Sequence, residues 1–273
     1  MLSFDLRQRL FNSQQNSFFL LAGPCVVEDR TMVMEIATAL QDITTELNIP
    51  FVFKASYKKA NRSSLDSFTG IGDAKALEIL AEVKSKLDLP IMTDVHSPEE
   101  AHRAGKIVDI IQIPAFLCRQ TELLVAAANT PCIVNIKKGQ FMSPEAMGFA
   151  VDKITQSEND FPMLTERGVT FGYHELLVDM RAIPVMQSFG YPVVLDCTHA
   201  NQKPNQSSGT TGGRPQFIGT LARAGIAVGV DGLFIETHPK PNQALSDGAN
   251  MLPLHEMKPL LQMLVKIRTA ITE

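Results

Sequence analysis

Eight polar side chains in this sequence stand at or just beyond the ends of short apolar runs: Cys25 (after Phe18 to Ala22 and a Gly-Pro break), Lys54, Asp94, Gln112, Lys137, Arg167, His199 and Glu236. Two kinds of chemistry follow from their types. Cys25, His199 and Glu236, with Asp247 in the loop after the last run, make a thiol, an imidazole and two carboxylates. That mixture of soft and hard donors suits a divalent metal ion, Zn²⁺, Fe²⁺, Mn²⁺ or Co²⁺. Cys197 lies two residues before His199, on the same face of an extended chain, and is a rival ligand. The donors are far apart in sequence, so a buried thiol, a structural histidine and solvated loop acids remain the competing reading. Lys54, Lys59, Arg62, Lys137, Lys138, Arg167 and Arg214 form the second group, cations at run ends or in the loops just after them. Arg presents planar bidentate donors to phosphate or carboxylate, and Lys a point charge. Gly212-Gly213 ahead of an expected helix adds backbone N–H donors for an anion. Seven cations exceed what one phosphate needs, so two phosphorylated substrates, one carrying a carboxylate, are expected. His199, Asp94, Glu236 and Lys54 are the candidate acid/base groups, with a Schiff-base lysine as the other role open to Lys54.

Something must bring these groups to one place, and the spacing of the apolar runs supplies it. Strands are expected at Phe18 to Ala22, Phe51 to Lys54, Pro90 to Asp94, Ile107 to Gln112, Cys132 to Ile136, Met163 to Glu166, Val193 to Cys197 and Leu233 to Glu236. Helical spacing separates them: about 31–47, 73–87, a Ser97-Pro98 start, 119–128, a Ser143-Pro144 start, 176–188, a helix ended by Gly225, and a last helix carrying Met257, Leu260, Leu264, Ile267 and Ile271. Strict strand–helix alternation with right-handed crossovers predicts a single (β/α)8 TIM barrel over residues 1–273, with catalytic groups at the carboxyl mouth. Residues 1–17 read as a short extension closing the barrel floor. A doubly wound open sheet would want a glycine fingerprint in the first strand–helix turn, and Gly70-Ile71-Gly72 follows the second strand and lacks the third glycine.

Composition narrows the classes. At 273 residues and 45% hydrophobic content the chain can bury one large core. No apolar run approaches the length that spans a bilayer, and the first sixteen residues lack the apolar centre of a signal peptide, so a cytoplasmic location is expected. A net charge of −4 argues against nucleic acid as a partner. Cys25, Cys118, Cys132 and Cys197 form no CxxC pair and read as reduced thiols, with Cys118 and Cys132 as core filler.

From Lys54 through Ser64, Lys-Ala-Ser-Tyr-Lys-Lys-Ala-Asn-Arg-Ser-Ser, the chain resembles the 3-deoxy-D-manno-octulosonate 8-phosphate synthases (2-dehydro-3-deoxyphosphooctonate aldolases). Thr93-Asp94-Val95-His96, Gln112 to Leu117, Arg119-Gln120-Thr121, Asn135 to Phe141, Glu166-Arg167-Gly168, Phe171-Gly172-Tyr173, Thr198-His199-Ala200 and Gly232 to Pro239 extend the likeness over nearly the whole chain. The resemblance implies a transferase that condenses phosphoenolpyruvate with D-arabinose 5-phosphate and releases phosphate, in lipopolysaccharide sugar synthesis. It implies phosphoenolpyruvate on Lys54, Ser56, Lys59, Gln112, Lys137 and Arg167, and arabinose 5-phosphate on Asn61, Arg62 and Ser63. Arg119 would come from a neighbouring subunit of a homotetramer. Cysteine after the Gly-Pro break is similar to the metal-dependent group, with Cys25, His199, Glu236 and Asp247 as ligands and Lys54, Asp94 and His199 as catalytic residues. Heptulosonate 7-phosphate synthases, which use erythrose 4-phosphate, are the alternative, and Ala60-Asn61-Arg62-Ser63 favours the octulosonate enzymes. The chain departs from the pattern in two places: Tyr57-Lys58 replaces the usual Phe-Asp, and Cys197 replaces a small residue.

Overall fold

Period-two alternation decides which side chains fill the interior. Phe19, Leu21, Val52, Met92, Ile110, Ile133, Met163, Val194 and Phe234 form one buried cluster. Their chain neighbours, Leu20, Phe53, Ile91, Ile111, Val134, Leu164, Leu195 and Leu233 among them, belong to a second, larger cluster shared with the helices. A sheet with apolar side chains on both faces closes on itself and covers its outside with helices, the (β/α)8 solution. The computed structural model describes residues 4–11, 17–61, 67–203 and 212–272.

The chain begins with α1 (Phe4–Phe11), then β1 (Phe19–Gly23), α2 (Arg30–Glu46), β2 (Phe51–Lys54), α3 (Asp73–Leu87), β3 (Ile91–Asp94), α4 (Pro98–Ala104), β4 (Ile110–Ile113) and α5 (Thr121–Ala128). It continues through β5 (Ile133–Lys137), α6 (Gly148–Thr155), β6 (Pro162–Glu166), a small hairpin of β7 (Val169–Phe171) and β8 (Glu175–Leu177), α7 (Ala182–Gln187) and β9 (Val193–Asp196). Two-residue strands β10 (Gln202–Lys203) and β11 (Gly212–Gly213), α8 (Ile218–Val228), β12 (Gly232–His238), β13 (Leu252–Pro253) and α9 (Leu254–Thr272) complete it. Parallel pairing runs β1-β2-β3-β4-β5-β6-β9-β12 and returns from β12 to β1, with Gly23 beside Glu236. Leu6 and Leu10 of α1 pack into the interior cluster with Phe19 and Leu21. No described helix is long and apolar enough to cross a membrane.

Local signals explain most boundaries. Asp29 caps α2 by accepting from the Met32 N–H at 2.9 Å, and Ser97 caps α4 with Pro98 in its first turn. Three expectations need correction. The helix expected over 176–188 is shortened to Ala182–Gln187, because Val169–Phe171 and Glu175–Leu177 pair as a hairpin first. Gly225 does not end a helix; it lies inside α8, where a Cβ would meet Leu195 Cδ2 at 2.5 Å, so glycine serves packing of α8 against β9. Gly212-Gly213 is β11, paired with β10, and α8 starts only at Ile218, so these glycines do not form a helix N-terminus facing an anion.

Candidate active site

The interior alternation continues toward the carboxyl ends of the strands, and there it changes character. Two residues beyond the interior apolar layer stand Lys54, Asp94, Gln112, Asn135, Thr165, Asp196 and Glu236, all buried, with Lys137 four residues beyond Ile133. One cavity of about 740 Å³ lies above this ring, lined by Lys54, Asp94, Gln112, Lys137, Arg167 and His199 from the strand ends and by Lys59, Asn61 and residues 244–249 from loops. Burying so many charges is tolerable only because they are paired.

Cys25 reaches the same place through a close backbone approach. A Cβ on Gly23 would collide with the Lys54 carbonyl, so only glycine lets β1 end against β2 there. The chain then turns, and Cys25 Sγ lies 3.0 Å from Ser246 Oγ and 3.5 Å from Asp247 Oδ2. Donor atoms of Cys25, Glu236 and Asp247 all lie within 4.8 Å of one another. Glu236 Oε1 faces Lys54 Nζ at 3.3 Å, while its Oε2 is buried without a hydrogen-bond partner among the described residues. His199 falls outside that mutual set, yet its Nε2 is 3.5 Å from Glu236 Oε2. Its Nδ1 is held by Asp196 Oδ2 at 2.8 Å, the carboxylate–imidazole arrangement that leaves the other nitrogen to a metal. An orphaned carboxylate oxygen between a thiol, a second carboxylate and a tethered imidazole fits a divalent ion. Burial, reinforced by Glu236, pushes the Cys25 thiol far above the usual range, so it holds its proton until a cation replaces it. Glu236 is buried too, but His199, Lys54 and Lys59 outweigh that and hold it ionised, down to about 2.

The cations are arranged against carboxylates with capacity to spare. Lys54 Nζ donates to Ser56 Oγ at 3.0 Å and sits 3.5 Å from Asp94 Oδ1, and Ser56 Oγ donates in turn to Asp94. Lys137 Nζ is 2.5 Å from Asp196 Oδ2. Burial lowers the Lys137 pKa even so, with Asp196 pulling the other way. Asp196 is itself held far below the carboxylate range, against its burial, by His199 and Lys137. Arg167 Nη2 donates to Gln202 Oε1 at 2.7 Å and to the His199 carbonyl at 3.2 Å, while Nη1 is buried with no partner among the described residues. A buried guanidinium nitrogen without an acceptor at a cavity wall is a ready donor to an anion.

A second line of charge runs outward from Asp94. His96 Nε2 lies 3.4 Å from Asp94 Oδ2, and its Nδ1 3.0 Å from Glu100 Oε2. Lys58 closes this line at 2.5 Å from Glu100 Oε1, with Asp73 at 3.7 Å. The lysine that replaces the expected acid therefore points away from the cavity, into a pair of carboxylates.

Other expectations fare differently. Arg62 and Ser63 lie outside the described residues. Asn61 lines the cavity and Arg119 does not, being exposed beyond β4. Lys138 is not a mouth cation: its Nζ is buried 3.4 Å from Glu166 and 3.3 Å from the Met142 carbonyl, because it directly follows Lys137 at the end of β5 and successive residues of an extended chain face opposite ways. Arg214 is paired with Glu175 at 2.6 Å and also stands outside the cavity lining. The cations lining the described cavity are Lys54, Lys59, Lys137 and Arg167. Cys197 belongs to the outer cluster with Val193 and Leu195, since β9 ends at Asp196 and His199 sits on a following turn. That removes it as a rival ligand. Asp196 is the residue sequence reasoning missed, and its signal was the two-residue step from Val194.

The family described as "DAHP synthetase I family" matches residues 2–273. A 2-dehydro-3-deoxyphosphooctonate aldolase of Koribacter versatilis is 51% identical over 257 residues, 93% of this chain and 92% of that protein. Proteins of the same name from Geobacter metallireducens and Brucella ovis are each 50% identical, over 91% and 90% of this chain and 91% and 89% of their own.

Proposed function

The chain belongs to the DAHP synthetase I family, and on that footing we propose that it is a 2-dehydro-3-deoxyphosphooctonate aldolase, a transferase joining phosphoenolpyruvate to D-arabinose 5-phosphate. Water enters, and the products are 3-deoxy-D-manno-octulosonate 8-phosphate and inorganic phosphate. The observation that carries the reading is Arg167, whose Nη1 has no partner among the described residues, lining with Lys137 the same cavity as Asp247 of the Cys25–Glu236–Asp247 cluster. An anion and an electrophile each find their chemistry there.

Arg167 and Lys137 bind the phosphate of phosphoenolpyruvate and Lys59 its carboxylate, with Ser56 and Gln112 completing the pocket. Asn61, Arg62 and Ser63 hold arabinose 5-phosphate. Cys25, His199, Glu236 and Asp247 would hold a divalent ion, Zn²⁺, Fe²⁺, Mn²⁺ or Co²⁺, which when bound polarises and orients the aldehyde. The double bond of phosphoenolpyruvate attacks the aldehyde carbon, water adds at the carbon bearing the phosphate, and phosphate leaves by C–O cleavage. Lys54, held by Ser56 and Glu236, gives a proton to the aldehyde oxygen as it becomes a hydroxyl. Asp94, 3.5 Å from Lys54 Nζ, holds that amine in place, and burial of the site keeps competing water out.

Arg119 completes the phosphate site of a neighbour in a homotetramer, for which the exposed Phe116 and Phe149 are consistent anchors. The enzyme works in the cytoplasm, as one barrel domain with α1 at its floor; residues 1–3 and 12–16 of the expected extension lie outside the described residues. Phosphate release with phosphoenolpyruvate and arabinose 5-phosphate, compared with erythrose 4-phosphate, tests the assignment. Preference for the four-carbon sugar overturns it. For the metal, chelation is expected to abolish turnover and Mn²⁺ to restore it, and full activity of protein verified metal-free refutes that role.

A further inference from the structure

Glu100 owes its place to the start of its helix. Ser97 caps α4 and its Oγ accepts the Glu100 N–H at 3.3 Å, which fixes Glu100 in the first turn. Glu100 Oε2 then accepts twice from His96, from the backbone N–H at 2.8 Å and from the ring Nδ1 at 3.0 Å. One carboxylate oxygen thus sets both the ring and the chain that carries it. The other ring nitrogen, Nε2, faces Asp94 Oδ2 at 3.4 Å. That leaves Asp94 Oδ1 to Ser56 Oγ and to Lys54 Nζ, the latter at 3.5 Å. His96 lines the mouth cavity, whereas Glu100 and Lys58 stand behind it. Lys58 Nζ holds the outer oxygen of Glu100 at 2.5 Å and lies 3.7 Å from Asp73. An acid at position 58 would set like charge against both carboxylates, and lysine makes the same position their anchor.

With a carboxylate at each ring nitrogen, the His96 imidazole carries both protons. Burial opposes that charge, yet Asp94 and Glu100 raise the His96 pKa. The other groups packed about this line are Lys59, which acts on Asp94, the buried Tyr57 beside Glu100, and Arg103, which pairs with Asp73 at 2.8 Å.

We propose that Glu100, anchored by Lys58, is a positioning residue for the proton-donating amine: it locks the His96 imidazole onto Asp94 Oδ2 and so keeps Asp94 Oδ1 on Ser56 and Lys54. The inference rests on the proposed reaction, in which Lys54 gives the proton. Without the grip of Glu100 the ring swings, the Asp94 carboxylate turns with it, and the Lys54 amine loses its direction.

Carbon-13 NMR of the zinc-loaded full chain, labelled in histidine, reads the ring directly. The chain has six histidines, and the His96 signal is the one lost in His96→Gln. Glu100→Gln keeps the shape of the side chain and removes its charge, so the His96 titration midpoint is expected to fall by about one pH unit. The same variant is expected to lose about tenfold in kcat for phosphate release from phosphoenolpyruvate and arabinose 5-phosphate. Lys58→Met is expected to lose severalfold in kcat, and Lys58→Arg, which keeps the anchoring charge, to match wild type. Should Glu100→Gln fail to fold, the two Lys58 variants decide. A His96 midpoint unchanged in Glu100→Gln, wild-type kcat in that variant, or wild-type kcat in Lys58→Met overturns the proposal. If wild type releases no phosphate with either aldose, the proposed reaction fails, and the His96 titration decides the positioning by itself.

Discussion

Replacing Asp196 by Asn isolates the electrostatic contribution of one buried carboxylate. The substitution keeps volume and keeps Oδ1 as acceptor for the Thr198 and His199 N–H groups, at 3.1 and 2.8 Å. What it removes is the negative charge against Lys137 Nζ at 2.5 Å and His199 Nδ1 at 2.8 Å. Breaking a buried pair by removing one partner costs about 3–5 kcal/mol. The surviving backbone hydrogen bonds set the lower end, about 3 kcal/mol. For a chain of this size that lowers Tm by roughly 6–12 °C. The effect on the metal site follows separately. An amide NH₂ facing Lys137 and His199 opposes donor to donor, so the imidazole loses its orientation, and loss of an outer partner costs about 10–100-fold in metal affinity. Asp196 is held far below its ordinary 3.8, so its stabilisation is whole above that pH and is lost only as pH falls through the much lower folded value. The carboxylate stays ionised in folded and unfolded chains alike from about pH 5 to pH 8, so its own titration adds no slope to the gap between wild type and D196N there. Differential scanning calorimetry and Mn²⁺ titration read both effects. A variant that melts within about 1 °C of wild type and binds Mn²⁺ equally well refutes the pairing.

Arg167→Lys keeps the charge but loses the fork, and is expected to weaken phosphate binding about tenfold by isothermal titration; equal affinity would show that Nη1 does not meet the ligand. Cys25→Ala should reduce metal retained after dialysis from about one ion per protomer to near none, read by elemental analysis, and full retention would remove the thiol from the site. Gly225→Ala forces a methyl into Leu195 and should lower stability by about 1–3 kcal/mol in urea melts, with an unchanged midpoint counting against close packing of α8 on β9. Glu100, buried among groups that overcome its desolvation, Lys58, Tyr57 and His96, titrates at about 2 instead of 4.5. Because that pKa is depressed, the stability difference between wild type and Glu100→Gln should be full above pH 4.5 and close as pH falls toward about 2; a difference that widens with acid would contradict the assignment.

The sequence made the barrel legible because its code is local: apolar runs of strand length, helical spacing between them, and Ser-Pro or Asp caps at helix starts. Lys54, Asp94, Gln112 and Glu236 were legible by the same code, each two residues past an interior apolar residue. Asp196 obeys that rule and was missed, since Cys197 and His199 offered more familiar ligand chemistry one and three residues later. Lys138 shows the opposite failure, a charge just past a strand end that is out of phase with Ile133 and Lys137 and so faces away from the mouth. The hairpin of Val169–Phe171 with Glu175–Leu177 is too short to show a period at all. Proximity of Cys25 to Ser246 and Asp247 spans more than two hundred residues. No local pattern encodes it, because it arises only when β12 closes against β1 and the loop after β12 folds back over the mouth. Sequence chemistry therefore names the donors, while barrel closure decides which of them meet. The same closure sets the register of Gly23 beside Glu236, and with it how near the thiol stands to the carboxylate.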